Sequence, residues 1–449
     1  MGMSLSQRLR GFRILVPLKS RDFRLLFFGQ SVSLFGDQFY LVALPLLVLD
    51  LAGSGVALGA VLMVGGISRA LFDLVGGALS DRISQRAILF SSNLARALVT
   101  VMITVIAFAG LARLWHLYLL SLSFGIVDAF FFPAFLAVIP RLVDRDQLNA
   151  GNALMRGTAR FMGGIGPAAA GLVITGVTAS AIPGAHQSAS TPAGGGGRFA
   201  VAFAIDTATF IFAAITVWLM REGRTTEVAA DSKGSQVPHA RGLKGLLTSI
   251  REGLAYAWRD PLIRSLLLVI TVIEFSFIGP STVGLALLAR TRFAAGEPES
   301  QGAGAYASML SAFGFGMLVG MLAAGSIRTP RRKGSVIIGL MVVLGCGMAV
   351  LGLMPNLWSA CATVWMIGVG GGLSNIMLLA WLQSRTEARM LGRVLSLVMF
   401  GASVVEPLSY ALAGVVGDVS LKTLFLSSGA ITLAAAAVSL GNRAILVSD

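Results

Sequence analysis

An all-α polytopic membrane fold, twelve spanning helices in two pseudo-symmetric six-helix bundles, is predicted by three features of the sequence. The 449 residues are 55% hydrophobic and 12% charged, with a mean hydropathy of +0.81; soluble domains carry about 25% charged residues. Apolar runs of about 20 residues recur from end to end, each sufficient to cross a ~30 Å hydrocarbon layer. These runs are continuous rather than alternating, which excludes a β-barrel. Thirdly, the second half repeats motifs of the first.

The first six spans are read at 25–49, 56–79, 87–109, 115–139, 152–178 and 199–220. The second six fall at 262–289, 306–327, 335–354, 357–383, 392–416 and 421–440. Residues 1–24 are a basic, mixed N-terminal segment that leads into a full-length span, so no cleavable signal is expected. Residues 25–220 form the first bundle, 221–261 a central linker, 262–440 the second bundle and 441–449 a tail. Of 35 Lys and Arg, 24 fall in the tails and alternate loops and 4 on the other side. This asymmetry places both termini, the linker and the tail in the cytoplasm. The net charge of +14 is therefore a topology signal and not a nucleic-acid footprint.

The linker opens as a polar, flexible composition. It continues into Leu243, Leu246, Leu247, Ile250, Leu254 and Trp258 at helical spacing, an amphipathic surface helix ended by Pro261. The stretch 180–198 is rich in glycine, serine and proline and reads as an external loop. Cys346 and Cys361 lie in separate spans, and His116, His186 and His239 lie in loops or at span ends. No disulfide framework and no metal site follow. No G-x-x-x-x-G-K-[ST] is present, so no nucleotide cofactor is expected.

The internal repeat is carried by two pairs of motifs. GGALSDRISQR (76–86) after the second span corresponds to AGSIRTPRRKG (324–334) after the eighth. GGIGPAAAG (163–171) in the fifth corresponds to SVVEPLSYALAG (403–414) in the eleventh, at nearly the same offset. A duplicated six-helix unit enclosing a cavity is the build of a secondary transporter.

With these residues in place, the sequence resembles the major facilitator superfamily, in its drug:proton antiporter-like branch of macrolide-efflux and enterobactin-exporter proteins. SRDFRLLFFGQSVSLFGDQFYLVALPLLV resembles the first span. GGALSDRISQR resembles the loop 2–3 motif through Gly77, Leu79, Asp81, Arg82 and Arg86, with Ser84 and Gln85 replacing the family's internal glycine and arginine. Gly163, Gly166, Pro167 and Gly171 resemble the fifth-span motif of antiporters. The resemblance implies a monomeric carrier of the bacterial cytoplasmic membrane that alternates access around a midplane substrate site. It implies a conformational latch at Gly77, Asp81, Arg82 and Arg86, and a tilt towards export from the Gly-Pro cluster. Protons, membrane lipids and a small-molecule substrate are its expected partners.

Intramembrane charges are the other candidates, since each costs about 2.5–3.5 kcal/mol at mid-bilayer on insertion scales. Asp37 lies midway along the first span and Glu274 midway along the seventh. They read either as proton or substrate sites or as structural partners of an arginine such as Arg69. Glu406 stands at the repeat position of Gly166, so an acid replaces a small residue in one half. It reads either as a cavity acid or as a partner of Arg393 or a helix end. Asp128 and Arg69 complete the set of coupling candidates, while Asp73, Arg96 and Asp206 read as structural. FSFIG (275–279) and DAFFFPAF (128–135) read either as an apolar ligand lining or as lipid-facing surface.

The expected function is proton-coupled efflux of a hydrophobic or amphipathic small molecule, such as a drug or a siderophore-like metabolite. A lysophospholipid flippase on the same fold is the alternative; a non-transporting receptor and an intramembrane enzyme are more distant ones.

Overall fold

The computed structural model describes residues 14–80, 83–180, 197–221, 254–294, 299–326 and 333–442. Twelve long helices fill them, with no strand among the described residues: α1 Arg21–Ala52, α2 Gly55–Ser80, α3 Gln85–Phe108, α4 Leu114–Leu142, α5 Leu148–Ser180 and α6 Gly197–Leu219 in one half, then α7 Pro261–Phe293, α8 Glu299–Ser326, α9 Lys333–Leu351, α10 Leu357–Arg385, α11 Ala388–Val419 and α12 Leu421–Gly441. Eleven of them are long and apolar enough to cross a membrane among the described residues. In hydrocarbon a helix must satisfy its own backbone, and the ends here are closed by local chemistry. The Ser20 hydroxyl accepts from the Phe23 amide at the start of α1, Asp260 accepts from Leu262 and Ile263 ahead of α7, and Asn356 accepts from Ser359 at α10. These are N-caps of the kind that satisfy orphan amides, and Pro261 occupies the first turn of α7, where a missing N–H costs nothing. Gly53, at φ 65°, ends α1 in the left-handed region, a conformation glycine takes without strain.

Each half has the same pairing pattern shifted by six helices. α1 packs on α5 and α6, α2 on α4, and α3 on α4 and α6; correspondingly α7 packs on α11 and α12, α8 on α10, and α9 on α10 and α12. The halves meet along two seams, α2 with α11 and α5 with α8. Small residues make both seams possible, because backbones approach closely only without side chains between them. A Cβ on Gly414 would stand 2.3 Å from the Gly55 carbonyl oxygen, and one on Gly314 would stand 2.2 Å from that of Gly163.

The core divides along the membrane normal. Away from the chain termini, one cluster spans both halves, joining Leu44, Leu47 and Phe203 to Leu285, Leu287 and Tyr306. Near the termini there are two separate clusters. One holds Phe23, Ile88, Val138 and Val217 of the first half, the other Leu262, Ile337, Leu382 and Val394 of the second. The halves are thus joined at the face opposite the termini and have independent cores at the face that bears them.

Several helices run beyond the hydropathy reading, and two of those boundaries have a clear physical cause. α7 continues past 289 to Phe293 through two wide π turns, 280–284 and 289–293, the first beginning at Pro280, which lacks an amide to donate. α8 begins at Glu299 rather than 306. Its first residues are small or polar, invisible to hydropathy, but Gly302 packs on Arg290 and Ala294, and Gly304 on Thr175.

Candidate functional site

The first bundle encloses one cation among three carboxylates. Arg96 on α3 is ion-paired with Asp128 on α4, the two side chains 7% and 35% exposed. The Arg96 guanidinium lies 4.2 Å from the Phe131 ring centre and 5.6 Å from that of Phe210, so aromatic faces replace part of its lost hydration. Asp37 on α1 and Asp206 on α6 both lie within electrostatic reach of Arg96 and of each other. Tyr40, one turn on from Asp37, stacks on Phe124 with ring centres 4.5 Å apart and sits beside Ser121 and the three acids. Asp206 is fully buried, and neither carboxylate oxygen has a hydrogen-bond partner among the described residues.

The sequence placed Asp37 and Asp128 among the coupling candidates but read Arg96 and Asp206 as structural. The structure brings all four together. Their common spacing within four different spans was the available signal; what spacing cannot give is the direction in which each helix turns that face. Arg69, one arginine offered as an alternative structural partner for Asp37, lies one helical turn from Asp73 on α2 and within its electrostatic reach. Asp73 reaches Ser403 of α11 across the seam and lies within electrostatic reach of Asp128 and Glu406. DAFFFPAF also finds a defined use: Phe131 covers Arg96 and stacks on Phe135.

The second bundle places two glutamates near each other on α7 and α11. Glu274 on α7 lies within electrostatic reach of Glu406 on α11. The Tyr410 hydroxyl donates to Glu406 Oε1 at 2.8 Å. Among the described residues neither glutamate has an ion-pair partner. Their spacing is fixed by Ser409, which repairs the α7 backbone ahead of Pro280. Its hydroxyl donates to the Phe275 carbonyl at 2.6 Å and accepts from the Gly279 amide at 2.9 Å. One side chain therefore ties the residue after Glu274 to the helix that carries Glu406. In the repeat-related place, a Cβ on Gly166 would stand 2.3 Å from Cγ of Gln38; α5 must be bare there for α1 to approach, and α11 is free to carry an acid.

The face opposite the termini is closed by charge as well as packing. Asp50 of α1 pairs with Arg198 of α6 and, at 3.6 Å, with Arg290 of α7 in the other half. Asp418, at the end of α11, caps the start of α2: it accepts from the Ser54 hydroxyl at 2.6 Å and from the amides of Gly55 and Val56 at 2.5 and 3.0 Å. A carboxylate at a helix N-terminus is stabilised by both the free amides and the dipole. Along the second seam Gly164 meets the Phe315 ring, Gly171 meets Ala307, and Arg160 Nη1 approaches Met317 Sδ at 3.1 Å. Gly163, Gly166, Pro167 and Gly171 therefore lie on the helix that forms this seam. Of the loop motif, Gly77 is in the last turns of α2, and Asp81 and Arg82 lie outside the described residues. Arg86 donates to the carbonyls of Val217 and Trp218 at 3.2 and 2.5 Å, closing the C-terminal end of α6 in its own half. Residues 222–253, which hold most of the expected amphipathic helix, also lie outside the described residues, as does the Arg393 side chain.

Two repeat-related helical bundles, welded at one face and separate at the other with acids between, have the build of a secondary transporter. The family comparison agrees: the Major Facilitator Superfamily model matches residues 26–405, and the chain belongs to that family. It is a membrane transporter and not an enzyme. It is 24% identical over 416 residues to Macrolide efflux protein A of Streptococcus pyogenes, covering 91% of this chain and 93% of that one. It is 22% identical over 434 residues to the uncharacterized MFS-type transporter YfiS of Bacillus subtilis, covering 94% and 93%. In fold it is similar to a bacterial homologue of the human lysosomal transporter Spinster, in an inward-facing and occupied conformation. That match has a TM-score of 0.70 at 13% identity, covering 96% of this chain and 98% of the other. The nucleoside transporter NupG gives a TM-score of 0.69 at 12% identity, with 94% and 99% covered.

Proposed function

We propose that this transporter exports a hydrophobic or amphipathic cation from a bacterial cytoplasm in exchange for protons. The observation that carries the reading is the acid pair Glu274 on α7 and Glu406 on α11, which has no paired cation among the described residues. Acids in such a place either bind a positive charge or bind protons, and an exchanger needs both alternatives at one site. The termini face the cytoplasm in this reading, because 24 of 35 Lys and Arg lie on that side. The halves then part towards the cytoplasm, where an export substrate enters. Similarity to macrolide efflux proteins supports a bulky, apolar substrate, and macrolides are the first to test.

The experiment is transport of labelled erythromycin and of ethidium in proteoliposomes, with and without an imposed proton gradient. Glu274→Gln, Glu406→Gln and Asp37→Asn are compared singly with the parent. Gradient-driven transport that fails in these variants is the expected result. Rates indifferent to the gradient, and unchanged by all three substitutions, would remove the coupling.

A lipid-like substrate is the second reading, favoured by one feature. An apolar groove of about 760 Å³ runs between α1 and α5, lined by Phe27, Phe28, Phe35, Phe161 and Met162. Phe28 and Phe35 stand on the side of α1 turned away from Asp37, where helical spacing directs them to the bundle's perimeter. Labelled lysophospholipid in the same proteoliposomes distinguishes the two.

A further inference from the structure

We propose that Asp206 is a proton-binding site inside the first bundle, one that exchanges its proton with Asp37 and so with the space between the halves. This rests on the proton-coupled reading above. The carboxyl is fully buried and both its oxygens lack a hydrogen-bond partner among the described residues. Hydroxyl and amide donors on α6 and α3 are spent on the backbones of their own helices. The Thr207 hydroxyl donates to the Phe203 carbonyl at 2.8 Å, Thr209 to the backbone carbonyl of Asp206 at 2.7 Å, Thr100 to that of Arg96 at 2.9 Å, and the Asn93 amide to Leu89 at 2.8 Å. A carboxylate ion stripped of water and of donors is far costlier to bury than a neutral acid.

The groups that face Asp206 come from three other helices. α1 presents Asp37 and Tyr40, α3 presents Arg96, and beyond Arg96 stands Asp128 of α4. α5, also packed on α6, sends no charged side chain to it among the described residues. Among the described residues Arg96 is the one cation in reach; it is engaged with Asp128 and covered by Phe131 and Phe210, while its buried Nε has no hydrogen-bond partner. While that pair holds, Asp206 keeps its proton. When Arg96 turns from Asp128 towards Asp206, the new ion is compensated and the proton can leave. It breaks from a carboxyl oxygen of Asp206 and forms an O–H bond on the Asp37 carboxylate. The pair's summed charge stays unchanged until the partly exposed Asp37 releases the proton to water.

Asp206→Asn tests this, since an amide mimics the neutral acid and cannot release a proton. In lipid, infrared spectra across pH give a protonated-carboxyl stretch for the parent at neutral pH that is missing from Asp206→Asn. In proteoliposomes loaded with ethidium or erythromycin, the variant loses gradient-driven transport by about tenfold or more. Substrate–substrate counterflow, which needs no net proton movement, stays within about twofold. Its thermal unfolding midpoint matches the parent's. Identical infrared spectra, gradient-driven transport that persists in the variant, or marked destabilisation from loss of an ionised partner of Arg96 would each overturn the proposal. Parent transport indifferent to the gradient instead overturns the coupled reading, and the infrared band still reports whether Asp206 holds the proton.

Discussion

The two halves share a helix-pairing pattern and differ in what they bury. The first sets three acids around one arginine, whose guanidinium is covered by Phe131 and Phe210. The second sets two glutamates near each other with a tyrosine, and among the described residues neither has a paired cation. A buried charge cluster of the first kind is committed to its own partners, and breaking it costs stability. Acids of the second kind have a hydroxyl donor at Glu406 but no paired cation among the described residues, so their cost must be offset by something that comes and goes. Duplication of a fold thus permits division of labour: one repeat sets its acids around an internal cation, the other leaves its glutamates without one among the described residues.

Arg96→Ala is the severest way to break that contrast. It leaves Asp37, Asp128 and Asp206 without their shared cation, and removing one partner of a buried pair costs about 3–5 kcal/mol. A steep fall in the thermal unfolding midpoint of the purified protein is expected; an unchanged midpoint would show that the first half's charges are as uncommitted as the second's. Next come Glu274→Gln and Glu406→Gln. Transport of a cationic substrate falls by about tenfold or more in each, in line with one lost charge-assisted contact of ~1.5–3 kcal/mol. Unfolding stays close to the parent's. Destabilisation by these glutamines, with transport intact, would place the pair among structural charges.

Asp418→Ala acts on the join between halves. Losing a cap of this kind costs about 0.5–2 kcal/mol, which shifts the balance by up to about thirtyfold towards the state open at the face opposite the termini. Spin-label distances between the starts of α2 and α8 report it, and an unaltered distribution would deny the cap a part in closure. Arg86→Ala has the smallest effect. Its contacts with the Val217 and Trp218 carbonyls lie within one half, so a loss of about 0.5–1.5 kcal/mol in stability should leave the distance distribution unmoved. A shift there would return Arg86 to the latch.

Spans, loop charges and the repeat were legible because each is a property of contiguous sequence. Hydropathy finds a run of twenty apolar residues whatever it packs against, and lysine and arginine mark loops by composition. The start of α8 escaped for the same reason: Gly302 and Gly304 are helical through their neighbours and not through their own apolarity. Within the site, the presence of acids in Asp37, Asp128, Glu274 and Glu406 was plain. The partner of each was not, since Arg69 and Arg96 are equally plausible cations until the helices are placed.

The sequence by itself determined twelve helices, their division into two related sixes, the face on which positive charge collects and the list of charges that enter the membrane. These follow from local chemistry and from the cost of charge in hydrocarbon. Only the tertiary structure decided that Arg96 pairs with Asp128, that Asp206 is left without a donor, that Ser409 bridges the α7 backbone at Pro280, and that Asp418 caps α2 from the other half. Position along a helix fixes the depth and bearing of a side chain. Which neighbour it meets depends on how bundles pack and cross, and that is settled by contacts between residues as many as 364 positions apart.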